Sequence, residues 1–255
     1  SGYDVSNNNF NYQTGDFNGD GKTDLIHFVN NDYVHVWLSN GNGTFDVKPE
    51  FLKGSGYDVS NNNFNYQTGD FNGDGKTDLI HFVNDGGNGY VHVWLSNGNG
   101  TFDVKPEFLK GSGYGVAANQ YNYKIGDFNG DGRTDLIHFV NNDYVHQWIS
   151  NGDGTFTIKS PFPNSGYGVG ANYYNYQVGD FDGNGSSDLI HFVNNDYVHT
   201  WLSLNQNLVI QNLNNAEQQL QESRNNENIA LQTLQALPDE KTLLDVKIAQ
   251  ISPLI

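Results

Sequence analysis

The chain repeats itself. Ser1 to Asn30 reads SGYDVSNNNFNYQTGDFNGDGKTDLIHFVN, and the same thirty residues return unchanged from Ser55. Altered copies start at Ser112 and Ser165, giving steps of 54, 57 and 53 residues, and the fourth copy runs out near Ser203. A period of this size means one supersecondary unit per copy, each too small to bury its apolar face without a neighbour. The expected units are 1–54, 55–111, 112–164 and 165–204, and a segment of different composition, 205–255, follows them. Copies one and two differ only where Asn31-Asp32 becomes Asp85-Gly86-Gly87-Asn88-Gly89, so that position is expected at an exposed loop tip.

Within a copy the pattern is that of strands. Asn11 to Gly15, Leu25 to Val29, Tyr33 to Ser39 and Thr44 to Lys48 are rich in β-branched and aromatic residues and bounded by Gly, Asn and Asp. Asn40-Gly41-Asn42-Gly43 between the last two supplies the positive φ angles of a tight hairpin. Four strands in about 50 residues is the size of a propeller blade, so the fold class is mainly β: four propeller-type four-stranded blades, then an α-helical C-terminal segment.

The acidic loop between the first two strands carries the strongest chemistry. Asp16, Asn18, Asp20 and Asp24 stand at loop positions 1, 3, 5 and 9, with Gly21 at the sharp turn. The later copies place Asp70, Asn72, Asp74, Asp78, then Asp127, Asn129, Asp131, Asp135, then Asp180, Asp182, Asn184, Asp188 at the same offsets. Alternate residues of a turning loop can aim oxygen ligands inward at a hard cation such as calcium, and a backbone carbonyl fills position 7, here Lys22, Lys76, Arg133 or Ser186. Asp, Asn and Gly are also ordinary turn residues. Four loops with three aspartates each go beyond turn chemistry, because like charges so close together need a counter-ion. Calcium, one per repeat and four in all, is expected rather than magnesium, which demands a stricter octahedron. The flanks are strands and position 12 is His27, so the loop is not an EF-hand.

All eight histidines fall in a second motif, LIHFVNNDYVHVW and its variants. A three-residue loop at Asn30–Asp32 would set His27 opposite His35, with Tyr33, His35 and Trp37 pointing one way. The other copies offer His81, Tyr90, His92, Trp94, then His138, Tyr144, His146, Trp148, then His191, Tyr197, His199, Trp201. Three readings stand side by side: packing between blades, a transition-metal pair short of ligands, or an aromatic and hydrogen-bonding face for a sugar. Tyr3, Tyr57, Tyr114 and Tyr167, in the segments joining one blade to the next, extend the sugar reading, with plain turn formation as its competitor.

The string GDFNGDGKTDLIHF followed by WLSNGNGTF resembles the FG-GAP or VCBS repeat over about 200 of the 255 residues. The resemblance implies calcium-binding β-propeller blades of the kind found in integrin-like ectodomains, bacterial surface and toxin proteins, and Psathyrella-type fungal lectins. Four blades fall short of the family's usual ring. Adjoining repeats or a homo-oligomer would complete it, or the blades would stack as an open array.

After Asn205 glycines and aromatics give way to Gln, Leu, Asn and Glu. Leu213, Ala216, Leu220, Ala230, Leu234 and Leu237 form a helical stripe interrupted by Ser223 and Glu227, and Pro238-Asp239 breaks it before a second helix. A helical hairpin is expected, serving as a cap, a linker or an oligomerisation element.

The rest of the composition works by exclusion. Twelve basic against 29 acidic residues give a formal charge of −17, the wrong sign for gripping nucleic acid. No cysteine is present, which removes disulfides and thiol chemistry, and no apolar run approaches a membrane span. No nucleophile elbow or phosphate loop is found, so the chain is expected to bind rather than catalyse. The expected function is a secreted or cell-surface, calcium-stabilised module for multivalent carbohydrate binding or adhesion, with glycans or surface proteins as partners. The alternatives are a structural subunit of a surface assembly and part of a toxin shell.

Overall fold

The computed structural model describes residues 11–29, 33–59, 65–116, 122–140, 144–162, 175–193 and 197–251. The chain divides into two compact units, 1–207 and 208–255.

Each repeat folds as one antiparallel sheet with its strands in chain order. Blade 1 holds β1 (Tyr12–Gly15), β2 (Asp24–Val29), β3 (Tyr33–Ser39) and β4 (Phe45–Val47). Blade 2 holds β5 (Tyr66–Gly69), β6 (Asp78–Val83), β7 (Tyr90–Ser96) and β8 (Phe102–Val104). Blade 3 holds β9 (Tyr123–Gly126), β10 (Asp135–Val140), β11 (Tyr144–Ser150) and β12 (Phe156–Phe162). Blade 4 holds β13 (Tyr176–Gly179), β14 (Asp188–Val193) and β15 (Tyr197–Trp201). The expectation of four strands in every blade is therefore corrected for the last one. Its third strand is followed by Leu202–Asn205 and a helix instead of the Asn-Gly-x-Gly-Thr-Phe turn that launches the fourth strand elsewhere.

The registers follow the side-chain pattern. Val29 pairs with Tyr33 and His27 with His35, and the corresponding pairs recur in the other blades. The Asn30–Asp32 turn itself lies outside the described residues. In the β3–β4 hairpin Gly41 and Gly43 adopt φ of 74° and 85°, left-handed values that a side chain resists, while Asn40 N–H donates to Thr44 O at 3.0 Å. Of the inserted residues Asp85–Gly89, the first four are exposed, as a loop tip should be, while Gly89 is buried against Val83 and Val116.

The core lies between sheets. Phe17, Ile26, Phe28 and Val34 of blade 1 pack on Tyr66, Leu79, Trp94 and Phe102 of blade 2, and the pattern is repeated from blade 2 to 3 and, in smaller form, from blade 3 to 4. Phe28, Phe82 and Phe139 stack on Tyr66, Tyr123 and Tyr176 with ring centroids 4.2, 4.4 and 4.2 Å apart. A polar latch accompanies each stack: Thr77 N–H donates to Asp16 O at 2.7 Å and its hydroxyl accepts from Asp16 N–H at 2.9 Å, Thr134 and Asp70 do the same one blade on, and Ser187 N–H donates to Asp127 O at 2.6 Å at the third. The approach is close enough that a Cβ on Gly69 would sit 2.6 Å from Thr134 Cγ2, so a glycine is required there.

The second unit is helical. α1 (Gln206–Gln235) and α2 (Glu240–Ile251) flank Pro238, and Asp239 caps α2 by accepting from Thr242 N–H at 2.7 Å. Every described side chain from Leu208 onward is exposed, so the pair expected as a hairpin has no apolar seam of its own. No described helix is long and apolar enough to cross a membrane.

Candidate metal centre and ligand face

Each acidic loop winds around its first aspartate. Asp16 Oδ1 accepts from the N–H groups of Gly19 and Asp20 at 2.8 and 3.1 Å, and Oδ2 accepts from Gly21 N–H at 2.8 Å. The same three bonds form at Asp70, Asp127 and Asp180. Position 9 does a second job that the sequence did not announce. Asp24 is fully buried and both its oxygens accept backbone N–H groups, from Phe17 at 2.9 Å and Ser39 at 2.7 Å, which pins the loop to the end of β3. Asp78, Asp135 and Asp188 repeat the arrangement. Burial, with the neighbouring aspartates adding to it, pushes Asp78 and Asp135 up to about 7 and raises Asp24.

The loops differ at position 7. Lys22, Lys76 and Arg133 turn back onto the position-5 aspartates Asp20, Asp74 and Asp131, at 2.7, 2.5 and 2.5 Å. In blade 4 position 5 is Asn184 and position 7 is Ser186, so no basic group competes. Asp180, Asp182 and Asp188 there offer oxygens all within 4.8 Å of one another, the one carboxylate or histidine cluster of metal-binding size among the described residues. Ser186 Oγ is buried beside them without a hydrogen-bond partner.

The histidine motif is mostly interior. His27, His81, His138 and His191 are at most 4% exposed, stacked on Tyr12, Tyr66, Tyr123 and Tyr176 with centroids 4.3 to 4.5 Å apart. Trp94 and Trp148 are fully buried. Tyr57 accepts from Trp94 Nε1–H at 3.1 Å and shares a hydrogen bond of 3.0 Å with His81 Nδ1. Tyr114 Oη also accepts from Trp148 Nε1–H at 3.0 Å and lies within hydrogen-bond distance of both His138 Nδ1 and His146 Nδ1, so its single proton serves one of the two rings and the other ring donates to it. Burial drives His81 and His138 down to about 3. His35 and His92 donate from Nδ1 to the carbonyls of Lys48 and Lys105 at 3.0 and 2.8 Å. These bonds answer the packing reading rather than a transition-metal pair.

What reaches solvent is the hairpin edge. Tyr33 and Tyr90 are half-buried, each with a lysine over its ring: Lys53 at 4.8 Å and Lys110 at 4.7 Å, themselves paired with Glu50 and Glu107. Trp37, Trp201 and His199 are half-buried. Tyr3 and Tyr167 lie outside the described residues, and of Tyr144 and Tyr197 the strand position alone is described. The stacking tyrosines at 12, 66, 123 and 176 and the latch residues at 77 and 134 were missed, although their recurrence at fixed offsets was the available signal.

Four blade-like sheets, each with an acidic loop between its first two strands and the first three loops latched to the following blade, define an acidic-loop blade repeat. The FG-GAP-like repeat family matches residues 16–81, 70–138 and 127–191, and the chain belongs to that family. No curated protein matches the chain by sequence. Among solved structures, a lectin of Agrocybe aegerita whose structure concerns recognition of non-reducing terminal N-acetylglucosamine is 28% identical, with a TM-score of 0.53 over 71% of this chain and 47% of the lectin. The Tc holotoxin pore of Photorhabdus luminescens is 22% identical, with a TM-score of 0.52 over 77% of this chain and 9% of that one, a likeness of fold. The chain thus spans less than half the length of either.

Proposed function

We propose that the chain is a non-catalytic, extracellular carbohydrate-binding module whose blades are held by calcium. The likeness to the N-acetylglucosamine-recognising lectin carries the sugar reading. The half-exposed Tyr33 and Tyr90 support it: each offers an apolar ring rimmed by charged hydrogen-bonding groups, which suits a sugar's apolar face and hydroxyl edge. Repetition around the blades would turn weak single contacts into avidity.

The donor set fits a hard divalent cation. Three carboxylates per loop, a buried aspartate pushed up to about 7 in blades 2 and 3, and the orphaned Ser186 Oγ in blade 4 are each relieved by a bound cation. Asp16, Asn18, Asp20 and Asp24 and their equivalents would hold it, with the carbonyl of position 7.

Titration calorimetry of the calcium-loaded protein with N-acetylglucosamine, alongside a glycan array, tests the sugar reading. Binding to terminal N-acetylglucosamine that drops at least about tenfold, or 1.4 kcal/mol, in Tyr90→Ala is expected. Silence across all glycans would sink it.

A further inference from the structure

Ten Asn-Gly steps lie in this chain, and in most of them the glycine N–H is tied down. Asparagine followed by glycine is the step at which a polypeptide deamidates most readily, because no Cβ keeps the next amide nitrogen from the side-chain carbonyl carbon. In the acidic loops Gly19, Gly73 and Gly130 donate to the Oδ1 of Asp16, Asp70 and Asp127 at 2.8, 2.7 and 2.7 Å, and Gly185 donates to Asp180 Oδ2 at 2.9 Å. Gly89 donates to Asp85 Oδ1 at 3.1 Å. The hairpin between the third and fourth strands holds two such steps in each of the first two copies, and the first of them is also tied: Gly41 and Gly98 donate to the Oγ of Ser39 and Ser96 at 3.2 Å, as Gly152 does to Ser150. The second step differs. Gly43 and Gly100 N–H meet no acceptor among the described residues, while the Oδ1 of Asn42 and Asn99 accepts from Thr44 and Thr101 twice, from N–H at 3.0 Å and from the hydroxyl at 2.7 Å. Every bond in this contrast is made within one turn or loop, so it is the same in blade 1 and blade 2.

We propose that Asn42 and Asn99 are sites of hydrolytic deamidation, and that the other eight steps are protected by the bond on the glycine nitrogen. The glycine nitrogen gives its proton to solvent base and bonds to the asparagine side-chain carbonyl carbon. The two threonine donors stabilise the charge that develops on Oδ1, and the carboxamide nitrogen leaves as ammonia. The succinimide so formed takes up one water. Breaking the new bond yields aspartate, and breaking the bond from the glycine nitrogen to the main-chain carbonyl carbon yields the β-linked isomer. Where the glycine N–H already donates, its acceptor holds the proton on the nitrogen, most strongly where that acceptor is a carboxylate. Copy three shows that the first product fits: Asp153 stands at this position, and its Oδ1 accepts from Thr155 N–H and hydroxyl at 2.9 and 2.6 Å. The β-linked product adds a methylene to the main chain of a turn that Asn40 N–H and Thr44 O close at 3.0 Å, and so opens that hairpin.

Peptide mapping by mass spectrometry, on the full chain held in mildly alkaline buffer, tests the proposal. Trypsin separates the two sites, because the peptides that start at Thr23 and Thr77 differ by the insertion at Asp85–Gly89, and fragmentation tells Asn40 from Asn42. Asn42 and Asn99 are expected to convert at least about tenfold faster than the other eight, and the rates should converge in the urea-unfolded chain. Ser39→Ala frees Gly41 N–H while keeping the backbone bond from residue 39 to Asp24, and should raise conversion at Asn40 by a similar factor, with circular dichroism checking that the sheets are intact. Comparable rates at all ten steps of the folded chain would overturn the proposal. So would a spread that persists in urea, which would place the cause in local sequence, or an Asn40 that does not respond to Ser39→Ala.

Discussion

Trp148 in blade 3 and Trp201 in blade 4 hold the same strand position, opposite Leu136 and Leu189, yet one is fully buried and the other is not. Trp148 packs against Phe156 of β12 and Phe108 from the end of the preceding repeat, with centroids 5.6 and 6.0 Å away. Blade 4 has three strands among the described residues, and a cavity of about 250 Å³ lies beside Trp201, bounded by Phe128, Ile137, Leu189 and Leu204. Repetition of the sequence sets which side chain points where; the neighbouring strand and blade set how much water it loses.

The largest expected effect breaks that comparison most directly. Trp148→Ala should cost about 3–5 kcal/mol, the range for emptying a packed aromatic site, while Trp201→Ala should cost less than half as much. Equal losses in urea unfolding would show that the two environments are energetically alike.

Calcium comes next. Chelation should lower the melting temperature, by an amount corresponding to roughly 4 kcal/mol per site when the ion stands at about a thousand times its dissociation constant. Calorimetry should resolve four sites, with the blade 4 loop the tightest, because Asp180, Asp182 and Asp188 face no basic side chain while Lys22, Lys76 and Arg133 must first release their aspartates. Four equal sites would remove the distinction, and no uptake would remove the cation.

Gly69→Ala should destabilise by about 1–3 kcal/mol through the clash with Thr134, a cost measurable by the same unfolding curves. The terminal blade lacks a comparable neighbour: Gly179 meets its own blade's Phe181, an exposed ring that can move, so Gly179→Ala should cost less.

Acidity separates the loaded protein from the ion-free one. Asp78 and Asp135, ordinarily near 3.8 but pushed up to about 7, bind protons that the unfolded chain releases, so in ion-free protein their contribution grows as the pH falls from about 7 towards 4. His81 and His138, driven from 6.5 to about 3, act in reverse: the unfolded chain takes up protons first, and stability is lost as the pH falls from 6.5 towards 3. The two pairs nearly offset, so the ion-free melting temperature should be close to flat between about pH 6.5 and 4. With calcium holding the aspartates ionised, acid should lower it steadily. The smallest effect belongs to the tail, where Leu220→Ser on the fully exposed α1 should change stability by no more than about 0.5 kcal/mol.

Strands, registers and the acidic loops were legible because strand alternation and turn chemistry act over a few residues: Asn40–Gly43 forms the expected hairpin, and His27 meets His35. The double duty of Asp24 was hidden, since its partners Phe17 and Ser39 come from separate parts of the repeat. The fate of His81 was hidden for a similar reason, because a histidine beside tyrosine and tryptophan reads the same whether it is stacked in a core or held out to a ligand.

By itself the sequence determined the period, the four sheets, the loop spacing and the break at Pro238, all of which follow from local dihedral preference and the alternation of side chains. Tertiary structure alone decided that the first histidine of each pair lies inside, that a threonine in one blade latches the acidic loop of the one before, and that Phe139 is covered by the next blade while Phe192 is not. Those outcomes depend on which surface meets another, and burial is a property of the pair of surfaces rather than of either strand.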